Sequence, residues 1–184
     1  MQYLLEITAS TIVGGMILLL IMRMNTTLLE SATTISIEKS VQSNITSLID
    51  ELDYYFKQIG YRVKDEQKII TADKNEISFL SDIDNDGDID TVSYYLSKKK
   101  ILKETENPND KLLYRVINSS PEETSNLGVT AFELAYYNGA GALTNDENEI
   151  KYIKYTIEVE SFFPINGEYK GAYAERIVRP NNLR

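Results

Sequence analysis

From Tyr3 to Met22 the chain is predominantly apolar and carries a single charge, the carboxylate of Glu6. Roughly 20 such residues are what a helix needs to cross the hydrocarbon core of a bilayer. In lipid every backbone donor and acceptor must be satisfied within the segment, so the stretch predicts a helix. It has no basic region before it and no small-x-small cleavage pattern before Arg23, Asn25, Thr26 and Thr27, so it predicts a retained anchor rather than a removed secretory signal. Whatever follows must fold with one end held in a membrane.

Glu6 is the anomaly in that run. An ionised side chain near the end of an apolar helix costs a few kcal/mol and is kept mostly where a partner neutralises it. Two readings stand: a basic group or free amine on a neighbouring copy pairs with it, or it lies at headgroup depth and faces water.

The residue types present exclude much chemistry. There is no Cys and no His among 184 residues, which removes disulfides, thiolate nucleophiles, imidazole-ligated metals and the Ser-His-Asp and Cys-His machineries. No carboxylate pair stands out as a glycosidase site, so no enzyme is expected. The formal charge is −9, and because Glu6 and Arg23 cancel, the excess belongs to the part outside the apolar run. That argues against nucleic acid and anionic lipid headgroups as partners, since both call for a basic face. Thirteen Tyr with no Trp suit strands and half-exposed surfaces.

Beyond Arg23, Leu28, Leu29, Ala32, Ile35, Val41, Ile45, Leu48, Leu52, Tyr55, Phe56 and Ile59 recur at helical spacing. No Pro interrupts residues 2–59, so the membrane helix is expected to continue into an amphipathic one, with Gly60 as its C-cap. The Thr and Ser between residues 26 and 47 allow a bend around 25–36. After it, residues 68–72, 76–83, 91–96, 101–105, 112–117, 129–137, 152–162 and 173–178 read as strands. Short turns at 97–100 and 107–110, a polar loop at 118–125 and a glycine-and-acid loop at 138–149 separate them. The fold class is therefore α+β: a long N-terminal helix, its second half laid on an antiparallel sheet. The expected organisation is a membrane helix at 1–24, an amphipathic continuation at 25–60 and a β-rich domain at 61–184.

One constellation has ligands for a hard cation. Asp82, Asp84 and Asp86 occupy positions one, three and five of a loop with Gly87 at six, followed by Asp88 and Asp90. This fits the first half of an EF-hand loop, where the glycine permits the turn that points the carboxylates inward. The second half departs: position twelve is Ser93 rather than a bidentate Glu, and the flanks read as strands. Two readings stay open, a calcium loop completed by other ligands and an acidic hairpin turn with solvated charges. The other candidates read as structure. Residues 145–149 form a solvated acidic loop, Gly139 to Gly141 a flexible turn, and Lys98 to Lys100 a charged turn. The Gly14-Gly15 pair is a pair of small residues in a membrane helix.

Four stretches in order resemble one family. The opening Gln2-Tyr-Leu-Leu-Glu6-Ile is similar to the start of type IV pilins and type II secretion pseudopilins, whose apolar helix carries one Glu at the fifth mature residue. The stretch from Ile77 to Leu96, the stretch Asn126-Leu-Gly-Val-Thr-Ala-Phe-Glu-Leu-Ala-Tyr-Tyr-Asn138 and the tail Glu175-Arg-Ile-Val-Arg-Pro-Asn-Asn-Leu183 resemble the minor subunits of the J and W kinds. The resemblance implies a minor pilin or pseudopilin with Gln2 as the leader-cleavage or N-methylation residue and prepilin peptidase as the processing partner. It implies that Glu6 pairs with the N-terminal amine of an adjacent subunit inside a helical filament core. It also implies a single-pass inner-membrane protein, its globular part outside the cytoplasm until assembly into a periplasmic or extracellular filament. No cofactor is required, though some pseudopilins bind calcium. The alternative is a membrane-tethered, calcium-dependent binding or adhesion domain that never polymerises.

Overall fold

The expected helix is present: α1 spans Gln2–Gln58. The computed structural model describes residues 1–65, 67–97 and 105–183, with the backbone alone for 121–126. Residues 25–36 are helical throughout, without the break their composition allows. Their hydroxyls turn back onto the helix instead of competing with it: Thr26, Thr27, Thr33 and Thr34 each donate to the carbonyl four residues earlier, at 2.9–3.1 Å.

The contacts divide the described chain into two units, Met1–Ile37 and Glu38–Arg184. In the first, every residue from 2 to 33 is exposed, Leu4, Leu5, Leu19 and Ile21 included. The helix is long and apolar enough there to cross a membrane. In the second unit the remaining helix buries one face, Val41, Ile45, Leu48, Leu52 and Phe56, at the spacing of three and four that brings side chains onto one stripe.

That stripe meets a single sheet of seven antiparallel strands whose spatial order follows the sequence. The strands are β1 (Ile69–Ala72), β2 (Glu76–Ser81), β3 (Asp90–Leu96), β4 (Lys111–Ile117), β5 (Ser120–Tyr137), β6 (Tyr152–Glu160) and β7 (Gly171–Val178). Register places apolar partners opposite one another on the helix side, Ile77 with Tyr94, Phe79 with Val92, and Phe132 with Ile157, all fully buried. Period-two alternation of this kind puts one face of each strand in the core and the other in water.

The core centres on Phe56. Its ring meets those of Phe79, Tyr94 and Tyr155 edge-on, at centroid separations of 6.2, 5.8 and 5.7 Å, the arrangement the aromatic quadrupole favours. The two tyrosines then spend their hydroxyls on helix carboxylates. Tyr94 donates to Glu51 at 3.1 Å and Tyr155 to Asp53 at 2.7 Å. Arg115 of β4 reaches the same Glu51 at 2.9 Å and lies over the Tyr55 ring.

One expectation needs correction and two others fall partly outside the described residues. Residues 118–125 are not a loop. Asn118 and Ser119 form a two-residue hairpin connection with φ of 50° and 69°, and Ser120 already pairs with Ile117. Positive φ at both central positions is the turn that matches the twist of adjoining strands, and Asn tolerates it best after Gly. The polar composition of this stretch, and Pro121 within it, suggested a loop. Pro121 is accommodated because this part of β5 pairs with β4 alone, and β6 joins only from Val129 onward. The strand expected at 101–105 and the turn at 97–100 fall largely on residues outside the described set.

Candidate functional site

The acidic loop is the hairpin connection between β2 and β3, residues 82–89. Its base is tied to the turn that ends α1. Gly60 leaves the helix at φ 75° and donates its N–H to Leu80 of β2 at 2.8 Å, while Asp82 donates its own N–H to Tyr61 at 3.1 Å. The Gly60 cap is thus closed by the sheet rather than by the helix. The C-terminal tail closes the other side: Asn182 donates its amide to the Ile59 carbonyl at 3.2 Å and accepts at its own carbonyl from Lys68 at 2.6 Å.

Of the five aspartates, three converge. One carboxylate oxygen each from Asp82, Asp84 and Asp86 lies within 4.8 Å of the other two. The tip can bring them together because Asn85 and Gly87 take left-handed backbone, φ 64° and 99°, which reverses the chain between them. Asp84 and Asp86 are exposed, whereas Asp82 is 1% exposed.

Asp82 is the unusual member. Its Oδ2 accepts from Arg62 Nη1 at 2.8 Å, and its side chain has no exposed area. Its Oδ1 is buried with no hydrogen-bond partner among the described residues. Leaving a buried acceptor unmatched costs about 1–3 kcal/mol, and more for a charged group. Arg62 is itself held in left-handed backbone, φ 58°, with its guanidinium 5.3 Å from the centre of the Tyr61 ring. The hydrogen bond to Asp82, then the charge of the Tyr61 phenol, raise the pKa of this guanidinium above its ordinary value.

Asp88 and Asp90 stand outside the converging group. Asp88 is exposed and donates its N–H to Asp86 at 2.8 Å. Asp90 is 9% exposed and fully committed: Oδ2 accepts from the Ile83 N–H at 3.2 Å and Oδ1 from the Asn118 amide at 2.6 Å. Asn118 in turn accepts from the Thr91 N–H at 3.0 Å, so Asp90 clamps the loop base to the β4–β5 hairpin. Ser93, the twelfth position of an EF-hand count, sits inside β3 with its hydroxyl 2.8 Å from that of Ser78. A helix-loop-helix closure is ruled out by this geometry, and what remains is a three-carboxylate cup in a β-hairpin. Carboxylates converging at this separation suit a hard divalent ion with oxygen ligands.

Arg62 and Asn118 are the residues a reading of the motif misses. Both come from other parts of the chain, and no periodicity or spacing connects them to the loop. The candidates at the other end of the chain, Gln2 and Glu6, lie exposed on the first turns of α1. Compared with protein-family models, curated proteins and solved structures, the chain matches none.

Proposed function

We propose that this chain is a structural subunit of a type IV pilin-like filament, a minor pilin or pseudopilin, anchored in the membrane by the N-terminal helix before assembly. The observation that carries this reading is the composition of α1. A continuous helix begins with about 20 apolar, exposed residues bearing one carboxylate, Glu6, and ends with a single buried stripe. A plain anchor accommodates such a charge only where it reaches the headgroups and water, whereas a bundle of such helices gives it a role, if each Glu6 meets the N-terminal amine of its neighbour. The partners are then other subunits of the same class, engaged through residues of the apolar run. The globular part lies outside the cytoplasm, and prepilin peptidase releases Gln2 as the new N-terminus. The Glu6 carboxylate serves assembly, not chemistry.

The test is Glu6→Ala beside Glu6→Lys in the native host. Both variants are expected to fractionate with membranes at wild-type level and to be lost from sheared or secreted filaments, by tenfold or more. Filaments containing either variant at wild-type abundance would refute the proposal and leave a tethered domain that does not polymerise.

A further inference from the structure

A cleft of about 760 Å³ opens at the end of the sheet where the β1–β2 turn meets β5, a volume within the range of small-molecule sites. Asp73, Lys74, Asn75 and Glu76 line it from the turn and the start of β2, Tyr95 from β3 and Lys111 from the start of β4. Its frame is tied down. Leu134 of β5 donates its N–H to the Lys74 carbonyl at 2.7 Å, Asn75 its amide to the Phe132 carbonyl at 2.6 Å, and Tyr136 its hydroxyl to the Asp73 carbonyl at 2.9 Å. Bonds of this kind form the site before any ligand arrives.

The second observation is a ring. Tyr94 points into the core, so Tyr95 stands on the opposite face of the sheet, with Glu76 across from it on β2 and Tyr114 on β4. The Tyr114 ring lies 5.2 Å from that of Tyr95 with 22° between their planes. Held against Tyr114 on one side, Tyr95 turns its other side to the cleft. The third observation is the state of the polar groups. Lys74 is engaged by Glu133 at 2.9 Å and Lys111 by the Thr130 carbonyl at 3.0 Å. The carboxylates of Asp73 and Glu76 are exposed and engage no other group among the described residues. They are acceptors without donors.

We propose that this cleft is a carbohydrate site, in which a sugar ring of a neutral glycan lies on Tyr95 and its hydroxyls donate to Asp73 and Glu76. The electron-rich face of an aromatic ring attracts the polarised C–H groups on the flat side of a sugar, and the Tyr114 stack holds that face in position. The charged residues of the lining balance, Asp73 and Glu76 against Lys74 and Lys111, so the cleft selects no net charge. What it asks for is a ligand with one apolar face and several hydroxyl donors, and a glycan has both. Those hydroxyls leave water to make their bonds, so the affinity is modest and most of it comes from the ring. The inference stands apart from the filament proposal, because it concerns the unit Glu38–Arg184 and holds whether or not the chain polymerises.

The experiment uses the full chain in a detergent without a sugar headgroup, screened against an immobilised array of neutral and charged glycans. Each glycan retained is then titrated in solution by calorimetry and saturation-transfer NMR. Wild-type protein is expected to bind at least one neutral glycan, with a dissociation constant of roughly 1 mM or below. Tyr95→Ala is expected to weaken that binding about tenfold, whereas Tyr95→Phe keeps the ring and stays within about twofold of wild type. Glu76→Gln, at an exposed position, is expected to weaken it several-fold without moving the melting temperature, which keeps the test decisive if Tyr95→Ala fails to fold. Tyr173→Ala, on the exposed surface of β7, is expected to change nothing. An array that retains no neutral glycan, retention of charged glycans alone, or neutral-glycan binding undiminished in both Tyr95→Ala and Glu76→Gln would overturn the assignment.

Discussion

Tyr94 and Tyr155 each combine a core ring with a polar tip that needs a partner, and that division of labour sets how the protein responds to alkali. Burial, and after it the Glu51 carboxylate, push the Tyr94 phenol far above its ordinary value of 10. Burial and the hydrogen bond to Asp53 do the same for Tyr155, and burial beside Asp73 for Tyr136. A group whose pKa is raised on folding contributes stability that is complete below its unfolded value and is lost as pH climbs above it. Below pH 10, then, these phenols cost nothing; above it, each subtracts up to about 1.4 kcal/mol per pH unit. The expected outcome is that stability is flat across neutral pH and falls steeply above pH 10. Three of the thirteen tyrosines should ionise only together with loss of tertiary structure, read as a late phenolate absorbance step coinciding with the near-ultraviolet dichroism change. A single smooth titration with the fold intact would contradict the burial of these rings.

At the scale of elements, the second half of α1 and the sheet hold each other through one stripe. Phe56 is fully buried among three rings, while Tyr54, two residues away, is 55% exposed. Phe56→Ala should therefore cost about 3–5 kcal/mol, and Tyr54→Ala within about 0.5 kcal/mol of nothing, both measured by urea unfolding of the full chain in detergent. Equal effects would mean the stripe is misplaced. This stripe was legible in the sequence because a spacing of three and four from Val41 to Ile59 has no other physical reading, and the strands from Glu76 to Leu96 were legible because alternation writes the sheet face into the residues. The Asn118-Ser119 hairpin was not, since a polar run with a Pro looks like a loop unless one knows that this stretch of β5 has a neighbour on one side only. The acidic loop divides in the same way. Its aspartate spacing located the residues, but which of them converge depends on Asn118 holding Asp90 and on Arg62 holding Asp82, contacts 28 and 20 residues apart in sequence. Long-range side-chain bonds of that kind leave no periodic trace.

For the whole molecule, the physical contrast between the two units decides how they can be separated. Met1–Ile37 exposes its apolar residues almost completely and has no core, so in water it has no stable partner within its own unit. Glu38–Arg184 contains the helix stripe, all seven strands and the Phe56 cluster. Its contacts are mostly between strands adjacent in sequence, and its long-range ties, such as Tyr94 to Glu51 and Asn182 to Ile59, both lie within the unit. Removing residues 1–37 thus removes apolar surface and no buried side chain. The fragment 38–184 is expected to be soluble without detergent, monomeric by light scattering, and to melt cooperatively within about 3 °C of the same unit in the full chain, a shift that corresponds to under about 1 kcal/mol for a domain of this size. Its helix starts at Glu38, an acidic residue at the new N-terminus, where the positive end of the helix dipole favours it. Full-length protein, by contrast, should require detergent or lipid to stay in solution, because about 20 exposed apolar residues exceed what a soluble surface carries as isolated contacts. A fragment that unfolds or aggregates would mean that the first 37 residues stabilise the sheet unit, and the division between an exposed apolar helix and an independently folded unit would fail with it.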